Sequence, residues 1–167
     1  DLMVRKIDIL FPAQGGGEAL KSAMDTLFEK AERHIADGAN ILVLTDRHIS
    51  KDRCAIPSLL AVSGLHHHLI RKGLRSSCGL ILETGEAREV MHFSLLVAFG
   101  ITAICPYVAF GTVREMAEQE YLVEKKDPED AMDAYISAIK KGLLKSFSRM
   151  GISTIRSFFG SQIFEAI

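Results

Sequence analysis

Apolar positions along this chain fall into two alternating rhythms. Residues 4–10 are rich in β-favouring side chains and stop at Phe11-Pro12, after which Leu20, Met24, Leu27, Phe28, Ala31 and Ile35 recur at helical spacing as far as Gly38. This predicts a first strand and a first helix. The run Ile41-Leu42-Val43-Leu44 is continuous and apolar, as expected for a strand buried on both faces, and it halts at Thr45-Asp46-Arg47. A second helix is predicted from Pro57, a favourable first-turn residue, to Lys72 before Gly73. Gly79-Leu80-Ile81-Leu82 gives a third strand and residues 87–99 a third helix closed by Gly100; residues 101–105 give a fourth strand ended by Pro106.

Strands that alternate with helices over short connections predict an α/β fold with a predominantly parallel sheet, right-handed crossovers and flanking helices covering the sheet faces. After Gly111 the pattern turns helical. One piece reaches Leu122, a charged break follows at Glu124-Lys125-Lys126-Asp127, and a long helix runs from Pro128 to Met150. The break reads as a solvated loop. Residues 152–167 are apolar for a terminus, with Phe158, Phe159, Ile163 and Phe164. Left uncovered, these side chains would form an aggregation liability or a docking face, so they point to a missing neighbour.

A chain of 167 residues suits one domain, residues 1–167, with a single core. Its formal charge of −1 argues against a general nucleic-acid or anionic-membrane binder. Cys54, Cys78 and Cys105 are too sparse for a disulfide framework or a metal knuckle, which favours a reducing, cytoplasmic setting. Apolar stretches such as residues 59–65 fall short of the roughly 20 needed to cross a bilayer, and no basic-then-apolar leader opens the chain, so no membrane role is expected. Asp1 stands where an initiator Met would be and nothing follows Ile167, so the chain reads as a piece of something larger.

Ligands of parallel α/β sheets bind beyond the carboxyl ends of the strands, which here means Phe11-Pro12, Asp46-Arg47, Glu83-Thr84 and Cys105-Pro106. Asp46 and Glu83 can bind a cation or act as acid and base, with Glu86, Arg88 and His92 close by in sequence; equally they can cap helices or pair with Arg47 and Arg88. Gly15-Gly16-Gly17 precedes the first helix, where an anion can sit, yet the Lys-Ser/Thr of a phosphate loop is missing and Leu20 stands where a dinucleotide fingerprint needs glycine. A flexible turn is the simpler reading. His66-His67-His68 cannot converge on one metal ion, because successive helical residues fan out by about 100°. Hydrogen-bonding or surface roles suit these histidines better. Cys105 is either a buried structural thiol or a nucleophile activated by a basic neighbour. No nucleophile elbow or catalytic triad is evident.

Several segments, taken in order, carry a family resemblance. They are Gly38-Ala39-Asn40-Ile41-Leu42-Val43-Leu44-Thr45-Asp46-Arg47, Ile56-Pro57-Ser58-Leu59-Leu60-Ala61-Val62, His66-His67-His68-Leu69-Ile70-Arg71, Glu83-Thr84-Gly85-Glu86-Ala87-Arg88-Glu89-Val90, Ala138-Ile139-Lys140-Lys141-Gly142-Leu143-Leu144-Lys145, Ser148-Arg149-Met150-Gly151-Ile152-Ser153-Thr154 and Gly160-Ser161-Gln162-Ile163-Phe164-Glu165-Ala166. Together they resemble the central domain of glutamate synthase over nearly the whole chain. Met91, the three glycines at 15–17 and Phe158-Phe159 depart from the family's usual residues.

The resemblance implies a rudimentary, incomplete relative of a TIM-like barrel, set between a glutamine amidotransferase domain and an FMN-binding domain. It implies no catalytic, cofactor-binding or metal-ligating residue within this segment. FMN, an iron–sulfur cluster and electrons from NADPH or ferredoxin belong to the parent oxidoreductase, which makes two glutamates from glutamine and 2-oxoglutarate. The segment itself would bridge the two active sites and help form the ammonia passage. The alternative from the residues alone is an autonomous small α/β domain or enzyme that binds an anion or flavin through Gly15 to Gly17 with Asp46 and Glu83.

Overall fold

The computed structural model describes residues 2–122, 124–161 and 163–164. Strand β1 (Val4–Asp8) leads through a short β2 (Leu10–Pro12) into helix α1 (Gly16–Ala36), and β3 (Ile41–Thr45) leads through a short β4 (Arg53–Ala55) into α2 (Ser58–Arg71). A 3-10 turn (Arg75–Ser77) precedes β5 (Gly79–Glu83) and α3 (Val90–Ala98), then come β6 (Ala103–Cys105), α4 (Tyr107–Glu118), α5 (Pro128–Arg149) and α6 (Ile155–Phe158). All four strands expected from the sequence are present. Helix α4 starts directly after Pro106, earlier than the sequence suggested, because proline fixes a favourable entry to a helix. Helix α5 starts as its sequence indicates: the Asp127 carboxylate accepts the Glu129 N–H at 3.2 Å, Pro128 takes the first turn, and Glu129 and Asp130 face the positive helix end.

The four main strands form one parallel sheet in the order β1-β3-β5-β6, so each strand lies beside the next strand of its βα series. Right-handed crossovers that always step in one direction put every helix on the same face, which is how a TIM barrel is wound. Among the described residues the sheet stops at four strands and does not close. The helices pack as one layer, α1 on α2, α2 on α3 and α3 on α5.

Strand register explains which residues that layer covers. Ile7, Leu44, Leu82 and Ile104 align in one row, and Leu42 and Leu80 in the row below. Leu42, Leu44, Leu80 and Leu82 are fully buried in a core with Leu27, Ala31, Val62, Leu65, Leu69 and Phe93. The opposite face presents Lys6, Val43, Ile81 and Ala103, of which Val43 and Ile81 are half-buried and Lys6 and Ala103 exposed. The expectation that helices cover both faces is therefore corrected to one. An unbroken apolar run looks the same whether a strand's second face is packed or only half-screened.

The C-terminal segment differs in a second way. Phe158 is fully buried against Phe147, with ring centroids 4.1 Å apart, and Phe164 packs edge-on to Phe158 at 6.1 Å. Gly160 N–H reaches the Val97 carbonyl at 3.4 Å, which fastens the segment across the end of α3. Most of the aromatic face predicted to need a neighbour is covered by the chain's own helices; Ile163 remains exposed.

Helix α5 approaches the first turn of α3 so closely that a Cβ on Gly142 would lie 2.3 Å from a Val90 methyl carbon. Gly142→Ala is expected to destabilise the fold by about 1–2 kcal/mol, because overpacking outweighs the helix-propensity gain of about 1 kcal/mol. Urea unfolding of the two proteins checks this.

Candidate functional site

The carboxyl ends of the strands bring Asp8, Thr45, Glu83 and Cys105 into one register row on the open face of the sheet. Just beyond them, Asp46 is 1% exposed and forms the centre of a hydrogen-bonded cluster. The Thr84 hydroxyl donates to Asp46 Oδ2 at 2.6 Å, the Gly85 N–H to both oxygens at 3.1 and 3.0 Å, and the Tyr107 hydroxyl to Oδ1 at 2.7 Å. With its proton directed to Asp46, the Thr84 oxygen accepts from the Ser58 hydroxyl at 2.8 Å and from the Glu86 N–H at 3.1 Å. Ser58 N–H in turn donates to Glu86 Oε2 at 2.8 Å, which ties the start of α2 to the loop after β5. Burial, and then the bond to the Asp46 carboxylate, push the Tyr107 phenol up to about 12. Tyr107 is thus a permanent donor at neutral pH.

Glu83 forms a second knot beside the first. Its carboxylate accepts from Arg47 Nε at 2.6 Å, from the Thr45 hydroxyl at 2.7 Å and from Lys6 Nζ at 3.4 Å. Burial opposes its charge, yet the hydrogen bonds from Thr45 and Arg47 and the nearby charges of Arg47 and Lys6 hold it below the usual carboxylate range. The Arg47 guanidinium lies 4.1 Å over the Tyr107 ring, so a cation–π contact joins the two knots. Thr45→Val would take one donor from Glu83 and one acceptor from the Arg47 N–H, bonded at 3.3 Å. A loss of about 1.5 kcal/mol is expected, readable from chemical denaturation midpoints.

The sequence-predicted residues therefore divide. Asp46 and Glu83 stand at strand ends as expected, on strands that pair directly, and both carboxylates are engaged by protein donors, which makes them braces between elements. Arg47 is the predicted partner of Glu83; Arg88 instead contributes its backbone, donating its N–H to His92 Nδ1 at 3.3 Å and accepting the Tyr135 hydroxyl at 3.0 Å. His92 Nδ1 also accepts the Glu89 N–H at 3.3 Å and so closes the first turn of α3. Glu86 and His92 line one small cavity of about 210 Å³. Cys105 is half-buried at the end of β6, where its carbonyl accepts the Thr84 N–H at 3.0 Å.

The three histidines go separate ways. His68 stacks on Phe28 with ring centroids 4.4 Å apart and meets Glu32 at 2.6 Å, while His66 is buried and accepts from Arg75 Nε at 2.9 Å. Gly15 to Gly17 open α1, where Gly16 needs its φ of +57° to turn the chain. Among the described residues no three His, Cys, Asp or Glu side chains are grouped to hold a metal ion, and no helix is long and apolar enough to cross a membrane.

Sequence reasoning placed Thr84 at a strand end without giving it a role, and it missed Asp8 and Tyr107. Asp8 meets His48 at 2.8 Å and Arg53 at 3.6 Å, pinning the β4 region to the end of β1. Its signal was an acid at the carboxyl end of the first strand, after Val4-Arg5-Lys6-Ile7. Tyr107 gave none, since its partner lies 61 positions away.

Comparison with known proteins gives this brace a context. The family model described as "Glutamate synthase central domain" matches residues 1–167. The chain belongs to the glutamate synthase central domain family. It is 43% identical to the glutamate synthase [NADPH] large chain of Bacillus subtilis, over all of this chain and 10% of that protein. Identity is 41% to the glutamate synthase [NADH] of Saccharomyces cerevisiae, over 98% of this chain and 8% of that protein. It is 40% to the ferredoxin-dependent glutamate synthase of Pyropia yezoensis, over 97% of this chain and 11% of that protein. This central domain thus spans about a tenth of the length of these relatives.

Proposed function

We propose that residues 1–167 form one folding unit that serves as the non-catalytic connecting domain of a cytoplasmic glutamate synthase large chain. On this reading it holds a glutaminase domain and an FMN-binding synthase domain in register and walls part of the passage that carries ammonia between them. The observation that carries it is the state of Asp46: at the strand ends where α/β enzymes place their chemistry, its two oxygens are filled by Thr84, Gly85 and Tyr107. Such a group fixes loops and has no free lone pair turned to a substrate. Coupling two reactions through a small neutral intermediate needs rigid, water-excluding walls, and a packed sheet with cross-bonded loops supplies them.

FMN, the iron–sulfur cluster and the electron donor belong, on the same reading, to the flanking domains. Relatives named for NADPH, NADH and ferredoxin match this segment at 43, 41 and 40% identity, so the segment does not set the donor. The test is the chain expressed alone, with folding verified by a cooperative thermal transition. It is expected to turn over neither glutamine nor 2-oxoglutarate and to show no thermal shift with FMN or phosphate. Turnover, or a flavin that co-purifies, would overturn the proposal.

A further inference from the structure

At the end of the sheet opposite the polar rim, the loops entering β5 and β6 open into a cleft of about 770 Å³. Apolar side chains including Ile70, Ile101, Ile155 and Phe159 form its walls, and its charged groups are Arg75 and Arg156. Among the described residues no carboxylate lines it. A guanidinium has five N–H donors, and Arg75 places three of them: Nε on His66 Nδ1 at 2.9 Å and its terminal nitrogens on the carbonyls of Cys78 and Gly100, each at 2.8 Å. Those acceptors are neutral.

The carboxyl ends of α2 and α3 lend partial negative charge that helps seat the cation, but they supply no anion for its remaining donors. Arg156 has no hydrogen-bond or ion-pair partner among the described residues. Around these two cations the lip is apolar, with Ile70 49% and Ile155 55% exposed. Cations short of an anion, set in apolar walls, are complementary to a carboxylate carried on an apolar surface.

We propose that this cleft docks a polypeptide segment of the surrounding large chain that carries an Asp or Glu side chain flanked by apolar residues. The proposal rests on the connecting-domain reading. That reading supplies the occupant: the matched segment is 10% of the Bacillus subtilis relative, so most of such a chain lies outside these residues. The acid completes the donor set of Arg75 and Arg156, its apolar neighbours cover Ile70 and Ile155, and the contact orients the segment from the face opposite the Asp46 brace. Arg156 is the residue to change, because it bonds nothing among the described residues and lies outside the buried core.

The experiment uses the full-length large chain with a photoreactive benzophenone amino acid in place of Ile70, irradiated and mapped by peptide mass spectrometry. A cross-link to a peptide of the same chain outside residues 1–167, containing Asp or Glu beside apolar residues, is expected. Arg156→Glu should cut its yield at least five-fold, and exchanging the mapped acid for Lys in that background should restore it. Three results overturn the proposal: no polypeptide cross-link, a link to a second copy of the large chain, or a yield that Arg156→Glu leaves unchanged. A small acid retained in native mass spectra in place of a cross-link overturns it as well. The connecting-domain reading is scored separately by turnover of the isolated segment, so a silent segment with an unoccupied cleft removes the docking site alone.

Discussion

Asp46→Ala is expected to destabilise the domain by about 4 kcal/mol, because it strands the Thr84 hydroxyl, the Gly85 N–H and the Tyr107 hydroxyl in a site from which water is largely excluded. Each orphaned buried donor costs about 1–3 kcal/mol, and water entering the vacated space recovers part of that. Asp46→Asn keeps one acceptor oxygen while turning an NH₂ toward some of the same donors, so about half the loss is expected. Urea unfolding that gives similar stabilities for the wild type and both variants would show that the cluster braces nothing. The loss should also free the loop after β5, since Thr84 relays the Asp46 bond to Ser58 at the start of α2.

The second large effect is a loss of stability in mild acid that traces to one histidine. His66 is 4% exposed; burial, then the positive charges of Arg75 and His67, lower its pKa from 6.5 to about 4. Protonation would also set an N–H on Nδ1 against the Arg75 Nε–H, now bonded at 2.9 Å. Between pH 6.5 and about 4 the unfolded chain binds a proton that the folded chain refuses. Stability from this residue is therefore fully present above pH 6.5 and falls as the pH drops toward 4, by about 3 kcal/mol in total. Unfolding free energies of the wild type and His66→Gln, compared across that range, should converge as the pH falls. Glu32, whose carboxyl is held low chiefly by its bond to His68, acts in a lower window: its contribution is present above its unfolded value of 4.5 and is lost as the pH falls through its folded value. A wild-type curve parallel to that of His66→Gln would contradict the assignment.

Much of the backbone was legible because it follows from local chemistry. Gly38, Gly73 and Gly100 end helices in left-handed conformations, Pro57 and Pro128 begin them, and the apolar runs at 41–44 and 79–82 are strands. What stayed hidden depends on pairs far apart in sequence. Strand β4 carries Arg53-Cys54-Ala55, which has no strand-like alternation, and it exists because it pairs with Leu10–Pro12. Gly100 reads as a helix stop, yet it also lets His66 pack against the chain: a Cβ there would fall 2.1 Å from the ring nitrogen. That constraint ties α2 to the end of α3 and has no trace in either local sequence.

The rim shows the same division. Strand ends can be located from the apolar runs, so Asp46 and Glu83 were legible as strand-end carboxylates, while their adjacency comes from the pairing of β3 with β5. Whether they act on a ligand or on their own fold depends on what reaches them, and Tyr107, Thr84 and Arg47 do. Seven ordered segments carried the family resemblance where the chemistry of single residues could not.

On the proposed reading the rim braces the domain and does not react. Glu83→Gln in a full-length glutamate synthase large chain tests it most directly, because the amide keeps the side chain's size and its hydrogen bond from Thr45 while removing any capacity for proton transfer. Glutamine hydrolysis and ammonia-driven glutamate synthesis, assayed separately, are each expected to stay within about two-fold of the wild type. A fall of about 100-fold or more in either rate, the scale on which a general acid or base contributes, would show that Glu83 takes part in the chemistry.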